Sequence, residues 1–150
     1  MITKAKLSDL KEILDLQHLA YISEAKLFNN MNIEPLTETL DDLINEFNNG
    51  IVLKLTVDDK IIGSVRTYVK NDTAYIGKLM VHPDYQKKGY GSKLLLEIEK
   101  VCNTNRFELF TSTRSIKNIK LYESLGYKQF KIKKVDEELS FIYLEKYKSL

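Results

Sequence analysis

Residues 81–96 read Val81-His82-Pro83-Asp84-Tyr85-Gln86-Lys87-Lys88-Gly89-Tyr90-Gly91-Ser92-Lys93-Leu94-Leu95-Leu96. The order is that of a strand end, a short polar turn, two glycines and the start of an amphipathic helix. Glycine lacks the Cβ atom that would keep a ligand away from the backbone. The N–H groups at a helix start have no partners within the helix and lie at the positive end of its dipole. Such a start can bind a phosphate, and Lys87, Lys88 and Lys93 add positive charge around this one.

The composition bounds the kind of protein that surrounds this stretch. The chain has 150 residues and is 43% hydrophobic, enough for one domain, residues 1–150, with its own core. Lysine and arginine number 23 against 21 acidic residues, and a net charge of +2 argues against a protein that coats nucleic acid. Two histidines and one cysteine without clustering predict no metal site.

The same counts suggest a location for the protein. Cys102 has no second cysteine with which to form an internal disulfide, which fits a reducing compartment. The first residues lack the apolar region of a secretion signal, and no apolar run approaches the ~20 residues that a bilayer crossing needs. We therefore expect a cytoplasmic protein without a membrane partner.

The hydrophobic pattern predicts the element order β-α-α-β-β-β-α-β-α-β-β, an α/β plan with a mixed, mostly antiparallel central sheet flanked by helices. Ser8 and Thr37 are the predicted caps of the first two helices, with a loop over Phe28–Pro35 between them. A parallel crossover should lead from the fourth strand through the glycine-led helix to the fifth. The other predicted elements are strands Thr3–Lys6, Ile51–Val57, Lys60–Val69, Thr73–Val81, Phe107–Ser112, Tyr127–Lys133 and Leu139–Tyr147, and helix Ile116–Leu125.

Two motifs in this plan carry a resemblance. Gln86-Lys87-Lys88-Gly89-Tyr90-Gly91 resembles the Gln/Arg-x-x-Gly-x-Gly/Ala signature of the GNAT-superfamily N-acetyltransferases. The stretch from Asn118 to Tyr127, Asn-Ile-Lys-Leu-Tyr-Glu-Ser-Leu-Gly-Tyr, is similar to the second signature of that family, Asn-x-x-x-x-Tyr-x-x-x-Gly-Phe/Tyr. The element order matches from about Ile2 to Tyr147. The resemblance implies a GNAT-like fold and an acetyltransferase that uses acetyl-CoA as its acetyl donor.

The resemblance also implies where acetyl-CoA would bind. It would lie in a cleft where the fourth and fifth strands diverge, with its pantetheine amides paired to the backbone, as an added strand would be. Its pyrophosphate would meet backbone N–H groups in the glycine turn, where this chain has Gln86 in place of the commoner arginine and so less fixed charge. The implied donor-binding residues are Leu79, Met80, Val81, Gln86, Lys87, Lys88, Gly89, Tyr90, Gly91, Ser92 and Asn118.

For the chemistry, the resemblance points Tyr122 at the sulfur of the donor. A tyrosine hydroxyl could protonate the departing thiolate as a general acid while a primary amine attacks the acetyl carbonyl directly. The base that removes the amine proton stays unassigned. Some members of the family carry a glutamate on the fourth strand where this chain has Tyr75, and Glu24, Glu34 or a water relay are alternatives.

The acceptor is the least defined part of the prediction. By resemblance the segment from Tyr21 to Leu36 would form the acceptor wall, and Tyr21, Glu24, Phe28 and Tyr75 are the candidate acceptor-binding residues. Carboxylates there would favour a small cationic amine. A protein N-terminus or lysine is the alternative acceptor, and a non-catalytic acyl-CoA-binding module is an alternative function. A homodimer through the C-terminal strands is possible, because dimers are common among relatives.

Overall fold

The computed structural model describes residues 1–27 and 30–148. Its strands are β1 (Ile2–Lys4), β2 (Ile51–Val57), β3 (Lys60–Lys70), β4 (Thr73–Val81), β5 (Arg106–Ser112), β6 (Lys128–Lys134) and β7 (Ser140–Tyr147). Its helices are α1 (Leu10–Leu27), α2 (Glu34–Thr37), α3 (Leu40–Asn48), α4 (Tyr90–Val101) and α5 (Ile116–Ser124), with 3₁₀ turns at Leu7–Asp9 and Pro83–Tyr85. The predicted fold class is confirmed, with α2 as an additional short helix.

The seven strands form one sheet in the order β1-β2-β3-β4-β5-β7-β6. β4 and β5 are parallel and every other neighbouring pair is antiparallel, so the predicted crossover through α4 is confirmed. The two tight hairpins of the β2-β3-β4 meander place Asp58-Asp59 and Asn71-Asp72 at positive φ. Aspartate and asparagine tolerate that conformation, which two-residue hairpin turns require.

Helices cover both faces of the sheet. On one face α4 packs Leu94, Leu95 and Ile98 against a core whose other members include Leu53, Leu55, Ile62, Val65, Leu109, Ile142 and Leu144. On the other face α1 and α3 bury an apolar set against β2, β3 and β4, comprising Leu10, Ile13, Leu14, Leu16, Leu43, Val52, Ile61 and Met80. The cores hold β4 from both sides and fix where its last residues lie.

β4 leaves its parallel neighbour early. It pairs with β5 over Thr73–Tyr75, opposite Arg106–Glu108, and the described residues show no pairing between these strands beyond that. The β3–β4 register shifts between Ser64 and Arg66, and Lys78 has a φ of 52°. A β-bulge of this kind bends the strand that carries it. The second half of β4 therefore diverges from β5 and opens a gap in the sheet.

Two predicted helix caps are wrong. Thr39, not Thr37, caps α3: its Oγ1 accepts from the Asp42 N–H at 3.2 Å, and Asp42 accepts in return from the Thr39 N–H at 3.0 Å. Thr37 instead ends α2, which also takes Glu34 and Pro35 out of the predicted loop. Ser8 lies inside the 3₁₀ turn that precedes α1. Each error has the same cause, because a short helical turn intervenes where the sequence pattern suggested one boundary.

Candidate active site

The gap between β4 and β5 is the floor of a cleft of about 610 Å³. One wall is built by the end of β4, the following turn and the start of α4. The opposite wall is built by α1, the β5–α5 connection and α5. Its lining residues are Ala20, Tyr21, Ser23, Glu24, Leu27, Leu79, Met80, Val81, Tyr85, Gln86, Lys87, Gly89, Tyr90, Gly91, Ser92, Arg114, Ser115, Ile116, Lys117, Asn118 and Leu121. The cleft thus joins residues from both halves of the chain.

The end of β4 offers backbone rather than side chains. Leu79, Met80 and Val81 line the cleft on the side where β4 has parted from β5. The Tyr21 hydroxyl reaches the Leu79 carbonyl at 3.5 Å from α1. A strand edge without a neighbouring strand can pair with an extended ligand through its backbone groups.

The glycine turn leads directly into α4. Gly89 is the N-cap residue at φ 83°, a left-handed conformation that glycine adopts without strain. It has no side chain that could cap the first N–H groups of the helix, so these groups remain for a ligand. A Cβ atom at Gly89 would meet nothing within 4 Å, and one at Gly91 would meet only Leu121, at 3.5 Å. The surrounding protein therefore leaves the backbone open at both glycines.

Gln86 connects the two walls. Its Nε2 donates to the Val81 carbonyl at 3.1 Å, and its Oε1 accepts from Lys117 Nζ at 3.4 Å. An arginine at this position could not accept a hydrogen bond from Lys117, because a guanidinium has only donors. The contact between the two walls therefore depends on glutamine. Lys117 is brought to the cleft by this contact and supplies positive charge near the turn.

The opposite wall centres on Glu24. Its Oε1 accepts from Ser115 Oγ at 2.9 Å and from Asn118 Nδ2 at 3.3 Å, and Asn118 Nδ2 also lies 3.4 Å from Thr111 Oγ1. Burial raises the pKa of the Glu24 carboxyl, and the Ser115 hydrogen bond partly offsets that increase. Ser115 is the N-cap residue of α5 and makes no side-chain cap bond, and its hydroxyl donates to Glu24.

Tyr122 belongs to the buried core that packs on α4 and is not among the residues that line the cleft. Its side chain is only 6% exposed, its ring contacts that of Tyr127 at 6.2 Å, and its hydroxyl makes no hydrogen bond within the described residues. Burial, reinforced by the negative charge of Glu24, raises the pKa of the Tyr122 hydroxyl. Burial also raises the pKa of Tyr21, with Tyr122 and Glu24 adding to it. These groups therefore lie within electrostatic range of each other, and both tyrosines are protonated near neutral pH.

Comparison with known proteins identifies the family. Residues 11–127 match the Acetyltransferase (GNAT) family. The chain belongs to this family. It is 35% identical over 86 residues to the [Ribosomal protein bS18]-alanine N-acetyltransferase of Salmonella typhimurium strain LT2, a match that spans 55% of this chain and 57% of that relative.

Solved structures show the same fold. The ribosomal-protein-S18-alanine N-acetyltransferase of Escherichia coli superposes with a TM-score of 0.80 at 22% identity, over 100% of this chain and 94% of that one. The PaiA N-acetyltransferase of Thermoplasma acidophilum, in complex with coenzyme A, gives a TM-score of 0.79 at 20% identity over 99% and 98% of the two chains. The predicted GNAT family and fold are confirmed, and the predicted acetyltransferase class and acetyl-CoA donor are those of the family.

Most of the predicted GNAT site residues lie at the cleft, but three do not line it. Tyr122 belongs to the buried core, as described. Lys88 extends over the Tyr85 ring at 5.6 Å. Tyr75 stacks on Tyr68 with ring centroids 5.1 Å apart, at the closed end where β4 still pairs with β5, and so lies away from the cleft. Phe28 lies outside the described residues.

Sequence reasoning missed a buried ion network that joins β3 to α1, to the end of α2 and to α3. Arg66 on β3 bonds to Glu38 at 3.0 Å and also to Glu46 and to Gln17 Oε1, while Gln17 Nε2 donates to Glu38 at 2.9 Å. Arg66, Glu38 and Gln17 are all buried. Burial raises the pKa of Glu38, but Arg66 with Gln17 and Lys78 more than offsets this, so its pKa lies below the usual range. Nothing in the local sequence around Arg66 announced the network, because its partners are 20 to 49 positions away.

Ser115 was also missed, although a signal for it exists. A serine immediately before a predicted helix is normally read as a cap, and its contact with Glu24 joins residues 91 positions apart.

The described part of the chain contains neither a candidate membrane-spanning helix nor a candidate metal site. No helix there is both long enough and apolar enough to cross a membrane. No group of three or more His, Cys, Asp and Glu side chains there is placed to hold a metal ion.

Proposed function

We propose that the protein transfers the acetyl group of acetyl-CoA to a primary amine by direct attack. The observation that carries this proposal is the cleft itself, where the unpaired end of β4 meets the uncapped start of α4. A backbone edge suits the amides of pantetheine, and an open helix start suits a pyrophosphate. Family membership favours the same donor.

The donor would be held mainly by backbone groups. Leu79, Met80 and Val81 would pair with the pantetheine amides, and the turn from Gln86 to Ser92 would bind the pyrophosphate. Lys87 and Lys117 line the cleft near this turn and add positive charge. Lys88, which extends over Tyr85, would contribute at longer range. Acetyl-CoA supplies an activated acetyl group whose leaving group is a thiolate.

Tyr122 would act as the general acid. Its hydroxyl is protonated near neutral pH and makes no hydrogen bond within the described residues, so its proton would be available to the departing sulfur. A positioned acid contributes roughly 10²–10⁴-fold to a rate. The rest of the acceleration would come from holding the amine and the thioester together. Asn118, anchored to Glu24, would help to position the thioester end of the donor.

The N-terminal amine of a polypeptide is the acceptor that we favour. Support comes from the Salmonella relative, which is named for acetylating an alanine of a ribosomal protein. The small cationic amine that the sequence suggested is the alternative. The cytoplasmic location and the homodimer also stay predictions.

A matched set of peptides tests the acceptor class. Purified protein, acetyl-CoA and a thiol reagent would be combined with a lysine-free peptide that begins with alanine and with the same peptide blocked at its N-terminus. A lysine peptide with a blocked N-terminus, a polyamine and an amino sugar complete the panel. We expect CoA release only with the free N-terminus, and mass spectrometry should show one acetyl group there. Release with the polyamine or the amino sugar instead would identify a small-molecule acetyltransferase.

A further inference from the structure

We propose that Glu24 is the general base of this site and takes the proton of the acceptor ammonium before the amine attacks. This inference rests on the proposed function. Its starting point is that Glu24 supplies the only carboxylate among the described residues that line the cleft. It lies on α1, on the wall of the cleft opposite the end of β4.

The carboxylate is held in one orientation from two directions. Oε1 accepts from Ser115, which precedes α5, and from Asn118, which lies within α5, at 2.9 and 3.3 Å. Oε2 makes no hydrogen bond within the described residues and is therefore available to an ammonium group in the cleft. A base held in this way avoids the loss of side-chain freedom that proton transfer would otherwise require.

The electrostatic surroundings suit a base that must release its proton again. Burial makes Glu24 a stronger proton acceptor than an exposed glutamate, and the Ser115 hydrogen bond limits the change. The titratable and charged groups around it are Tyr21 on the same helix, Tyr122 on α5, and Arg114 and Lys117, which line the same cleft. Both tyrosines have raised pKa values, so neither competes for the proton near neutral pH.

The other carboxylates near the site are committed elsewhere. Glu34 forms an ion pair with Lys78 at 2.8 Å and does not line the cleft. Glu38 and Glu46 are bound to Arg66 behind α1 and α2. Tyr75, the strand position that the sequence offered, is stacked on Tyr68 at the closed end of the gap.

The proton balance closes with two residues. Glu24 takes one proton from the ammonium and later releases it to solvent. The nitrogen lone pair forms the C–N bond to the acetyl carbonyl, and the C–S bond breaks with its electron pair on sulfur. Tyr122 gives its proton to that sulfur and is reprotonated by the second proton that leaves the nitrogen. The products are an N-acetylated amine, CoA thiol and one proton in solution.

The test is the pH dependence of kcat/KM in three variants, measured with a free-N-terminus peptide. Glu24→Gln preserves the shape and can still accept from Ser115 and Asn118, but it cannot titrate. We expect kcat to fall by about 10²-fold. We also expect the acidic limb to move up to the pKa of the amine itself, about 7.7–8.0 for an α-amine. Glu97→Gln is the matched control and should leave the profile unchanged, because this half-buried glutamate on α4 lies outside the cleft, with its Oε2 4.0 Å from Lys100 Nζ.

Ser115→Ala separates a base from a merely structural link. Removing this donor keeps the carboxylate but should raise its pKa, so the acidic limb should shift to higher pH while acetyl-CoA affinity is unchanged. A Glu24→Gln enzyme with the wild-type limb, or a Ser115→Ala enzyme with no shift, would overturn the proposal. A wild-type protein that binds no acetyl-CoA and acetylates no amine would overturn the proposed function instead, so the two failures are distinguishable.

Discussion

The two sides of the cleft are built in different ways. The proposed donor side, residues 79–92, relies on backbone and on short-range contacts such as Gln86 to Val81, five positions apart. The proposed acceptor side, formed by α1, the β5–α5 connection and α5, relies on side chains whose partners are far away in sequence. Glu24 reaches Ser115 and Asn118 across 91 and 94 positions, and Arg66 reaches Gln17 across 49.

The two sides therefore differ in how much of the chain is needed to build them. A backbone cradle can be specified by a short motif, because glycine conformation and a helix start are local properties. A side-chain wall needs the whole fold to assemble it. We therefore expect variants on the donor side to change acetyl-CoA binding and variants on the acceptor side to change amine use or stability.

The largest effect should come from the loss of the proposed general acid. Tyr122→Phe should lower kcat by roughly 10²–10⁴-fold with little change in acetyl-CoA affinity, because only the proton donor is lost. Steady-state kinetics with calorimetric measurement of acetyl-CoA binding checks this. Tyr68→Phe, at an exposed ring, is the control. Unchanged turnover in Tyr122→Phe would remove the acid role.

Breaking the ion network should destabilise the acceptor side. Arg66→Met leaves Glu38 buried without its cation, and removing one partner of a buried ion pair costs about 3–5 kcal/mol in the free energy of unfolding. Urea unfolding measures the loss. At temperatures where the variant is folded, KM for the amine should rise while acetyl-CoA affinity stays close to that of the wild type. Equal loss of both affinities would contradict the division of the site into two sides.

Blocking the glycine turn should weaken acetyl-CoA binding rather than amine binding. Gly89→Glu places bulk and negative charge where the pyrophosphate would bind, and we expect acetyl-CoA affinity to fall by about 10²-fold, or ~2.7 kcal/mol. Gly89→Asn is the matched variant, because asparagine tolerates the left-handed φ of 83° without adding charge. It should retain much more affinity than the glutamate variant. If Gly89→Glu binds acetyl-CoA normally, the phosphate site lies elsewhere.

The smallest effect concerns a cap remote from the chemistry. Thr39→Ala removes the side chain that accepts from Asp42 at the start of α3, which should cost about 0.5–2 kcal/mol of stability. Thr37→Ala should cost less, because its hydroxyl only donates to the Glu34 carbonyl within α2. Thermal unfolding of both variants compares them. A larger loss of stability in Thr37→Ala than in Thr39→Ala would mean that Thr37 caps α3.

The sequence was sufficient for the sheet and for the glycine-led turn into α4. Strand periodicity and the glycine-led helix start are local patterns, and each led to an element that the structure contains. What it missed depends on tertiary contacts. Ser115 meets Glu24 across 91 positions, and the partners of Arg66 are 20 to 49 positions away. Tyr75 was a candidate acceptor-binding residue, but the β4–β5 pairing places it at the closed end.

Calorimetric titration of the purified protein with acetyl-CoA measures directly whether the cleft between β4 and β5 binds the donor. Dephospho-CoA and free ADP are the controls. We expect one site with a dissociation constant in the micromolar range for the wild type and weak or no binding for Gly89→Glu. An absence of binding to the folded wild-type protein would contradict this expectation, because the cleft between β4 and β5 would then not be a donor site.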